Sequence, residues 1–304
     1  MRIMDDQTAN AIARLLPHAK QIQVLGNVSG GCISQAFRIT AQLDNGDQTD
    51  YFVKQNDRAS LDNFRAESDG LSALAKVAFG VPGLHVPEPV ATDVVGQHAY
   101  LILDWLDSSP TTVSQYQYGQ TIAAFHQAES TDQIGYPIDN FLGSARQINT
   151  PAEDWVDFVA EHRLGWQLAQ VTQKRLISAK LKRDLEAMID RLADLLSGRI
   201  EQTSLLHGDL WSGNVLFTDP VSVTLIDPAV YHGCPEAELG MVRLFGGVGP
   251  DFYEGYDSIR QLPDGWQRRC DIYKLIHLLN HLNLFGGSYL HQCEQIASSI
   301  MMER

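Results

Sequence analysis

Two apolar runs late in this chain end in residues that a buried strand does not need. "LLHGDLWSGNVLF", residues 205–217, passes from an apolar pair into a polar loop, His207 to Asn214, and turns apolar again at Val215. "VTLIDPAVY", residues 223–231, follows, with Asp227 at the end of another apolar run. Leaving carboxyl and amide groups at the edges of buried strands costs free energy unless they are paired or used. Asn214 stands five residues after Asp209, and Asp227 eighteen. Carboxylate and carboxamide oxygens are hard ligands that suit Mg²⁺, which takes one or two protein oxygens and fills its shell with water and phosphate. A carboxylate left free of metal accepts a proton from a hydroxyl. Taken singly, each residue is equally an ordinary turn or cap residue; all three at strand edges point to chemistry.

The rest of the composition bounds the setting. With 304 residues the chain can form one large domain or two lobes with real cores. Its formal net charge of −14 argues against nucleic acid and anionic membranes as partners. No apolar run approaches the ~20 residues that cross a bilayer. The N-terminal "MRIMDDQTANAIARLLPH" is too acidic for an export signal and reads as an amphipathic helix. Cys32, Cys234, Cys270 and Cys293 contain no CxxC, which suggests neither zinc nor a disulfide framework. A reducing cytoplasm is the expected location.

Residues 22–40 read as two strands around a Gly/Ser turn, and 51–56 as a third. Residues 61–78 have helical spacing, with Leu61, Phe64, Leu71 and Leu74 on one face. A Pro/Gly linker leads to two more strands, "ATDVV" and "AYLILDWLD", joined at Gly96-Gln97. From Thr111 the pattern turns helical, over 112–129, 151–170, 174–197 and 264–285. A β-rich first lobe and a helical second lobe imply a cleft between them, with the hinge near 104–110.

"HGDLWSGN" followed by "LIDPA" resembles the catalytic and metal-binding segments of the protein-kinase-like fold, in the His-Gly-Asp form of its small-molecule phosphotransferases. With the Trp-Ser-Gly of the loop and "DPAVYHGCPEAELGMVRLFGG" after it, the chain is most similar to the fructosamine/ketosamine kinases, over nearly its whole length. The resemblance implies an α+β, bilobal protein-kinase-like fold: a small β-rich nucleotide-binding lobe with one inserted helix over residues 1–105, and a larger, mainly helical lobe over 106–304. It implies ATP and Mg²⁺ as cofactors, Asp209 as catalytic base, and Asn214 and Asp227 as metal ligands. Ser29, Gly30 and Gly31 would form the turn over the phosphates; the sequence has neither a Walker loop nor G-x-G-x-x-G there. Lys54 on the third strand would pair with Glu67, thirteen residues on, to hold the α- and β-phosphates. Backbone groups of Asp104 and Leu106 would meet adenine. Pro228-Ala229 after Asp227 suits a rigid site without a phosphorylation switch.

The implied acceptor is a small ketosamine, or the glycated amine of a protein, phosphorylated on its third-carbon oxygen. Trp211 beside Asp209 is either core filler or an aromatic wall for the sugar. Glu238 stands where the family more often has Asp, a supporting position under the catalytic loop; the longer side chain leaves its role open. His207 reads as a buttress of the loop, and His277 and His281, four apart, as helix-face residues without a third metal ligand. Cys32, after the Gly pair, is either a turn residue or a redox-sensitive thiol. The alternatives are an aminoglycoside- or choline-type phosphotransferase of the same fold, or a catalytically dead binding module; Lys54, Glu67, Asp209, Asn214 and Asp227, all intact, speak against the last.

Overall fold

A computed structural model describes residues 6–28, 34–107 and 113–302. Helix α1 (Asp6–Leu15) precedes β1 (Ala19–Asn27), β2 (Gln35–Leu43) and β3 (Gln48–Asp57). Helix α2 (Leu61–Ala78), the short β4 (Leu84–His85), β5 (Pro89–Val95) and β6 (His98–Asp104) follow. Five of these strands form an antiparallel sheet in the order β1-β2-β3-β6-β5. Strand β6, between β3 and β5, is apolar at every position from Ala99 to Leu103 because both faces are covered. Tyr100 and Ile102 pack with Ile12 of α1 and with Leu16 just after it, while Ala99, Leu101 and Leu103 pack with Phe64 and Leu71 of α2. Strand alternation then decides where Lys54 points. Val53 faces the α1 side, so its neighbour Lys54 faces α2.

The α2 helix matches its sequence-based range, and its buried face contains one acid, Glu67, among Phe64, Leu71 and Leu74. This helix is fastened to the rest of the molecule at several points. A Cβ on Gly70 would meet Pro228 at 3.2 Å and Val230 at 3.4 Å. Asp69 accepts from the Tyr136 hydroxyl at 2.7 Å, and Asn63 donates to the Gly143 carbonyl at 3.0 Å. Six residues past the helix, in the Pro/Gly linker, β4 pairs in parallel with a strand of the other lobe, Leu84 opposite Val223.

The second lobe begins with α3 (Gln115–Ala128) and β7 (Ser130–Thr131), then a hairpin of β8 (Asn140–Leu142) and β9 (Ala145–Gln147). Next come α4 (Trp155–Phe158), a π-helical segment (Val159–Gly165), α5 (Trp166–Gln173), α6 (Ala179–Asp190) and α7 (Leu192–Leu195). The loop-bearing strands are β10 (Thr203–Leu206), β11 (Val215–Asp219), β12 (Ser222–Leu225) and β13 (Tyr231–Gly233). Helices α8 (Pro235–Leu244), α9 (Pro250–Ile259), α10 (Trp266–Phe285) and α11 (Leu290–Met302) complete it. The expected helices over 151–170 and 174–197 are each broken. The first contains the π-helical segment, and the second starts only at Ala179, where the Ser178 hydroxyl accepts from the Leu181 N–H. Helices α8, α9 and α11 and the β8–β9 hairpin were not read from the sequence. One extended core joins α4–α7 with α8, α10 and α11, and a second joins α2, α3, α8 and α9 around β10–β12. No described helix is long and apolar enough to cross a membrane.

Candidate active site

The loop between β10 and β11 owes its shape to Gly208. Its φ is +82°, and a Cβ there would lie 2.0 Å from the Ala229 carbonyl oxygen. Only glycine allows the two segments to approach that closely. The Ala229 N–H in turn donates to the His207 carbonyl at 2.8 Å, which ties the loop to the segment after Asp227. The fully buried His207 ring bridges the same two segments. Its Nε2 lies 2.8 Å from the Ile226 carbonyl, which can only accept, so Nε2 carries the proton and Nδ1 accepts from the Asp209 N–H at 3.3 Å. Burial pushes the imidazole below its usual range and keeps it neutral. His207 is thus a buttress and not a base.

Beneath the loop lies Glu238 of α8. One carboxylate oxygen accepts from the His207 N–H at 2.6 Å and the other from the Gly208 N–H at 3.1 Å. The His126 Nε2 lies 3.7 Å away, and the other nitrogen of that ring contacts the Tyr256 hydroxyl at 2.8 Å. Burial alone would raise the Glu238 carboxyl; His126 and His207 outweigh it and hold the group below its ordinary value. The side chain that raised the question is therefore long enough to clamp two backbone donors at once. Helix α8 carried a legible signal, Pro235 at its start with Glu236 and Glu238 in its first turn.

Asp209 and Asn214 meet. The Asn214 amide nitrogen donates to the Asp209 carbonyl at 2.9 Å and to Asp209 Oδ2 at 3.1 Å. Burial raises the Asp209 carboxyl to about 7; the Asn214 bond pulls it down, and Asp227 and Glu238 push it further up. Asp227 adopts a left-handed conformation, φ +56°, that non-glycine residues rarely hold. It directs Oδ1 to the Lys54 ammonium at 2.5 Å, while Glu67 takes the same ammonium at 2.7 Å. Lys54 and Glu67 are both buried. Burial acts to lower the Lys54 ammonium, but the two carboxylates prevail and hold it above its usual value. Burial also lifts Glu67, to about 7, against the pull of Lys54 and with the help of Asp227. One ammonium thus serves two acids.

Asp209, Asn214 and Asp227 each present a side-chain oxygen to which no described residue donates: one of Asp209, that of Asn214, and Asp227 Oδ2. Those of Asn214 and Asp227 are the hard donors that Mg²⁺ takes. No group of three or more His, Cys, Asp or Glu forms a separate metal centre among the described residues. His277 and His281 share one side of α10, with Nδ1 of each buried and unpartnered.

The remaining expected residues lie as follows. Asp104 ends β6; its N–H donates to the Glu88 carbonyl at 3.0 Å and its carboxylate accepts the Glu88 N–H at 2.5 Å. Leu106 follows it, half-buried. The half-buried Trp211 ring lies over Gly213 and 5.4 Å from the Phe245 ring. Ser29, Gly30, Gly31 and Cys32 fall outside the described residues, as does the end of the expected hinge. Asn140 and Gln147 were missed. Asn140 donates to the Val230 carbonyl at 2.7 Å and Gln147 to the Ala229 carbonyl at 3.1 Å, so the β8–β9 hairpin braces the segment after Asp227.

Known proteins are similar to this chain over nearly its whole length. A chain from Synechocystis sp. named as a probable ketoamine kinase is 38% identical over 289 residues, 95% of this chain and 94% of that one. The chloroplastic protein-ribulosamine 3-kinase of Arabidopsis thaliana is 35% identical over 273 residues, 89% of this chain and 80% of that one. A crystal structure from Thermobifida fusca, provisionally named a fructosamine-3-kinase, superposes with a TM-score of 0.82 at 29% identity and covers 98% of this chain and 99% of its own. The fructosamine kinase family model matches residues 4–303. With nearly its whole length matched and a protein-kinase-like fold, the chain belongs to the fructosamine kinase family.

Proposed function

We propose that the chain transfers the γ-phosphoryl of ATP to the third-carbon hydroxyl of a ketosamine. Asp209 acts as the base, Asn214 and Asp227 hold Mg²⁺, and Lys54, steadied by Glu67, holds the α- and β-phosphates. When bound, Mg²⁺ neutralises charge on the β- and γ-phosphate oxygens. The observation that carries this reading is the pairing of Asp209 with Asn214, beside an Asp227 that shares Lys54 with Glu67. Asp209 has one oxygen on Asn214 and one open, so the open oxygen can take a hydroxyl proton while the other fixes its direction. A carboxyl raised to about 7 holds a proton more firmly than a free one, as a base near neutral pH must. Lys54 is already charged and immobilised before nucleotide arrives, so phosphate replaces a carboxylate in its shell and no side chain has to be newly ordered. The backbone of Asp104 and Leu106 meets the adenine edge. Trp211 forms the apolar wall of the acceptor pocket. The two lobes divide these tasks over residues 1–105 and 106–304.

The relatives act, by their names, on ketoamines and protein-bound ribulosamines, which supports the ketosamine over an aminoglycoside or choline. ATP turnover against ribulosamines, erythrulosamines, fructosamines, aminoglycosides and choline tests the reading. Phosphorylation of ketosamines with the others inert is expected; efficient aminoglycoside turnover with ketosamines inert overturns it.

A further inference from the structure

Three lysine or arginine side chains are buried among the described residues, and two of them have their acids. Lys54 holds Glu67 and Asp227, and Arg269 makes two bonds to Glu236, at 2.7 and 2.9 Å. The third, Arg163, donates only to neutral groups. Its Nη1 meets the Ile148 carbonyl at 2.6 Å and the His162 carbonyl at 3.1 Å, and its Nη2 meets Asn149 Oδ1 at 2.8 Å. The guanidinium lies against the Phe158 and Tyr231 rings, 4.4 and 4.2 Å from their centres, and its Nε is buried without a partner. Asp139, the acid that acts on it from farther off, is paired with Arg146 at 2.7 Å. Neutral acceptors and ring faces relieve only part of the cost of burying a charge without a counter-charge. The backbone is also bent to put Arg163 there. It belongs to the π-helical segment, where a Cβ on Gly165 would lie 2.4 Å from the Ala160 carbonyl oxygen. Such turns are rare and cluster at functional sites.

Arg163 lines a cavity of about 20 Å³ between the β8–β9 hairpin, the π-helical segment, α5 and α10. Arg146, His162 and His277 line it too, and no Asp or Glu does, in a chain whose formal net charge is −14. His277 is buried as well, and its Nδ1 has no partner. One water needs roughly 10–15 Å³, so the space takes a single particle of about that size and not a carboxylate or phosphate with its several heavy atoms. A water would supply a hydrogen bond and leave the charge of Arg163 unbalanced; a monatomic anion supplies both. We propose that this cavity binds a halide ion, with chloride as the counter-charge of Arg163. The place gives the ion a structural task. Arg163 touches Tyr231, and Tyr231 pairs with Leu206, the residue before His207. An ion held there braces the pair of strands from which the catalytic loop starts.

The test reads binding and not turnover, so its outcome is separate from the function proposed above. Thermal unfolding is followed in sodium chloride, sodium bromide and sodium gluconate at one ionic strength, which holds screening constant. A ligand of the folded state alone, present at about ten times its dissociation constant, raises Tm by roughly 3 °C in a chain of this size. That rise is expected in chloride and bromide over gluconate, levelling off with concentration, and Arg163→Met is expected to lose it. Wild-type crystals soaked in bromide give a second reading that does not depend on the variant folding: an anomalous scattering peak is expected beside Arg163 Nε. A water at that place with bromide confined to the surface overturns the inference. So does a Tm in the wild-type chain that is equal in halide and gluconate, or a halide rise that Arg163→Met retains in full. A bromide peak without the rise in Tm is binding at crystal concentration only, and overturns it as well.

Discussion

The catalytic loop and the Lys54 cluster lie side by side but are built on opposite principles. The loop is supported wholly from within its own lobe. Glu238 takes two backbone N–H groups, a neutral His207 bridges two segments, and the clamp is fully enclosed. The Lys54 cluster spans the two lobes, and Asp227 keeps its side chain 38% exposed. Around the ammonium there is one acid more than its charge requires. The loop is made to keep its shape, whereas the cluster is made to exchange a partner. A buried hydrogen bond resists change because its loss leaves unsatisfied groups, while a buried ammonium held by two carboxylates can exchange the more exposed one for another anion without being left unpaired.

The largest expected effect breaks the chemistry and leaves both supports alone. Asp209→Asn should lower turnover by at least ~10²-fold, as removal of a general base does, with ATP affinity little changed. The same variant tests the electrostatics. The folded-state carboxyl is raised to about 7, so what the group contributes to stability is full below the unfolded value and is lost as pH rises towards 7. Asp209→Asn should therefore raise Tm, and by more at pH 8 than at pH 5; an equal gain at both breaks the argument. For the wild-type chain, the acid limb of kcat/KM should fall near pH 7.

Next in size is the exchangeable cluster. Asp227→Asn removes a proposed metal ligand, so the affinity for Mg²⁺-ATP should drop by at least the ~10-fold that loss of an outer-shell partner costs, as calorimetry can measure. If its defect instead matches that of Asp209→Asn, with binding intact, the two regions do not divide the work. Glu238→Gln probes the rigid side. One of its two backbone donors would face an amide N–H₂, which should cost about 1–3 kcal/mol by urea unfolding and reduce kcat with the KM for ATP nearly unchanged. The smallest effect belongs to Trp211→Ala, expected to raise the KM for the ketosamine roughly threefold to tenfold with little change for ATP.

Residues that act through local spacing were legible in the sequence, and residues that act across it were not. Asp209, Asn214 and Asp227 sit in one short stretch between apolar runs, and the Lys54–Glu67 pair was readable from one strand and the next helix. The α2 boundaries followed from an uninterrupted apolar face. The braces were hidden because each is an uncharged or singly charged side chain acting on a distant backbone group. Gln147 reaches Ala229 and Asn140 reaches Val230 from a hairpin of three-residue strands, too short to show a period. Glu238 was noticed and left open, because sequence does not tell how far a carboxylate must reach. The break at Val159–Gly165 was hidden for another reason: a π-helical turn shifts an apolar stripe by one position, and its one mark, Gly165, where a Cβ would lie 2.4 Å from the Ala160 carbonyl oxygen, reads in sequence as a lone glycine in a helix.

The fastening of α2 bears on how such an enzyme is governed. The helix that carries Glu67 rests on Pro228 and Val230, is pinned through Asn63 and Asp69, and is followed within six residues by a strand paired into the other lobe. To swing outward it would have to break that register, two polar contacts and its packing in a single concerted event. It has one seat and no parking place. Tilting that helix is therefore a costly way to throttle a catalyst of this kind, because every fastening has to give at once.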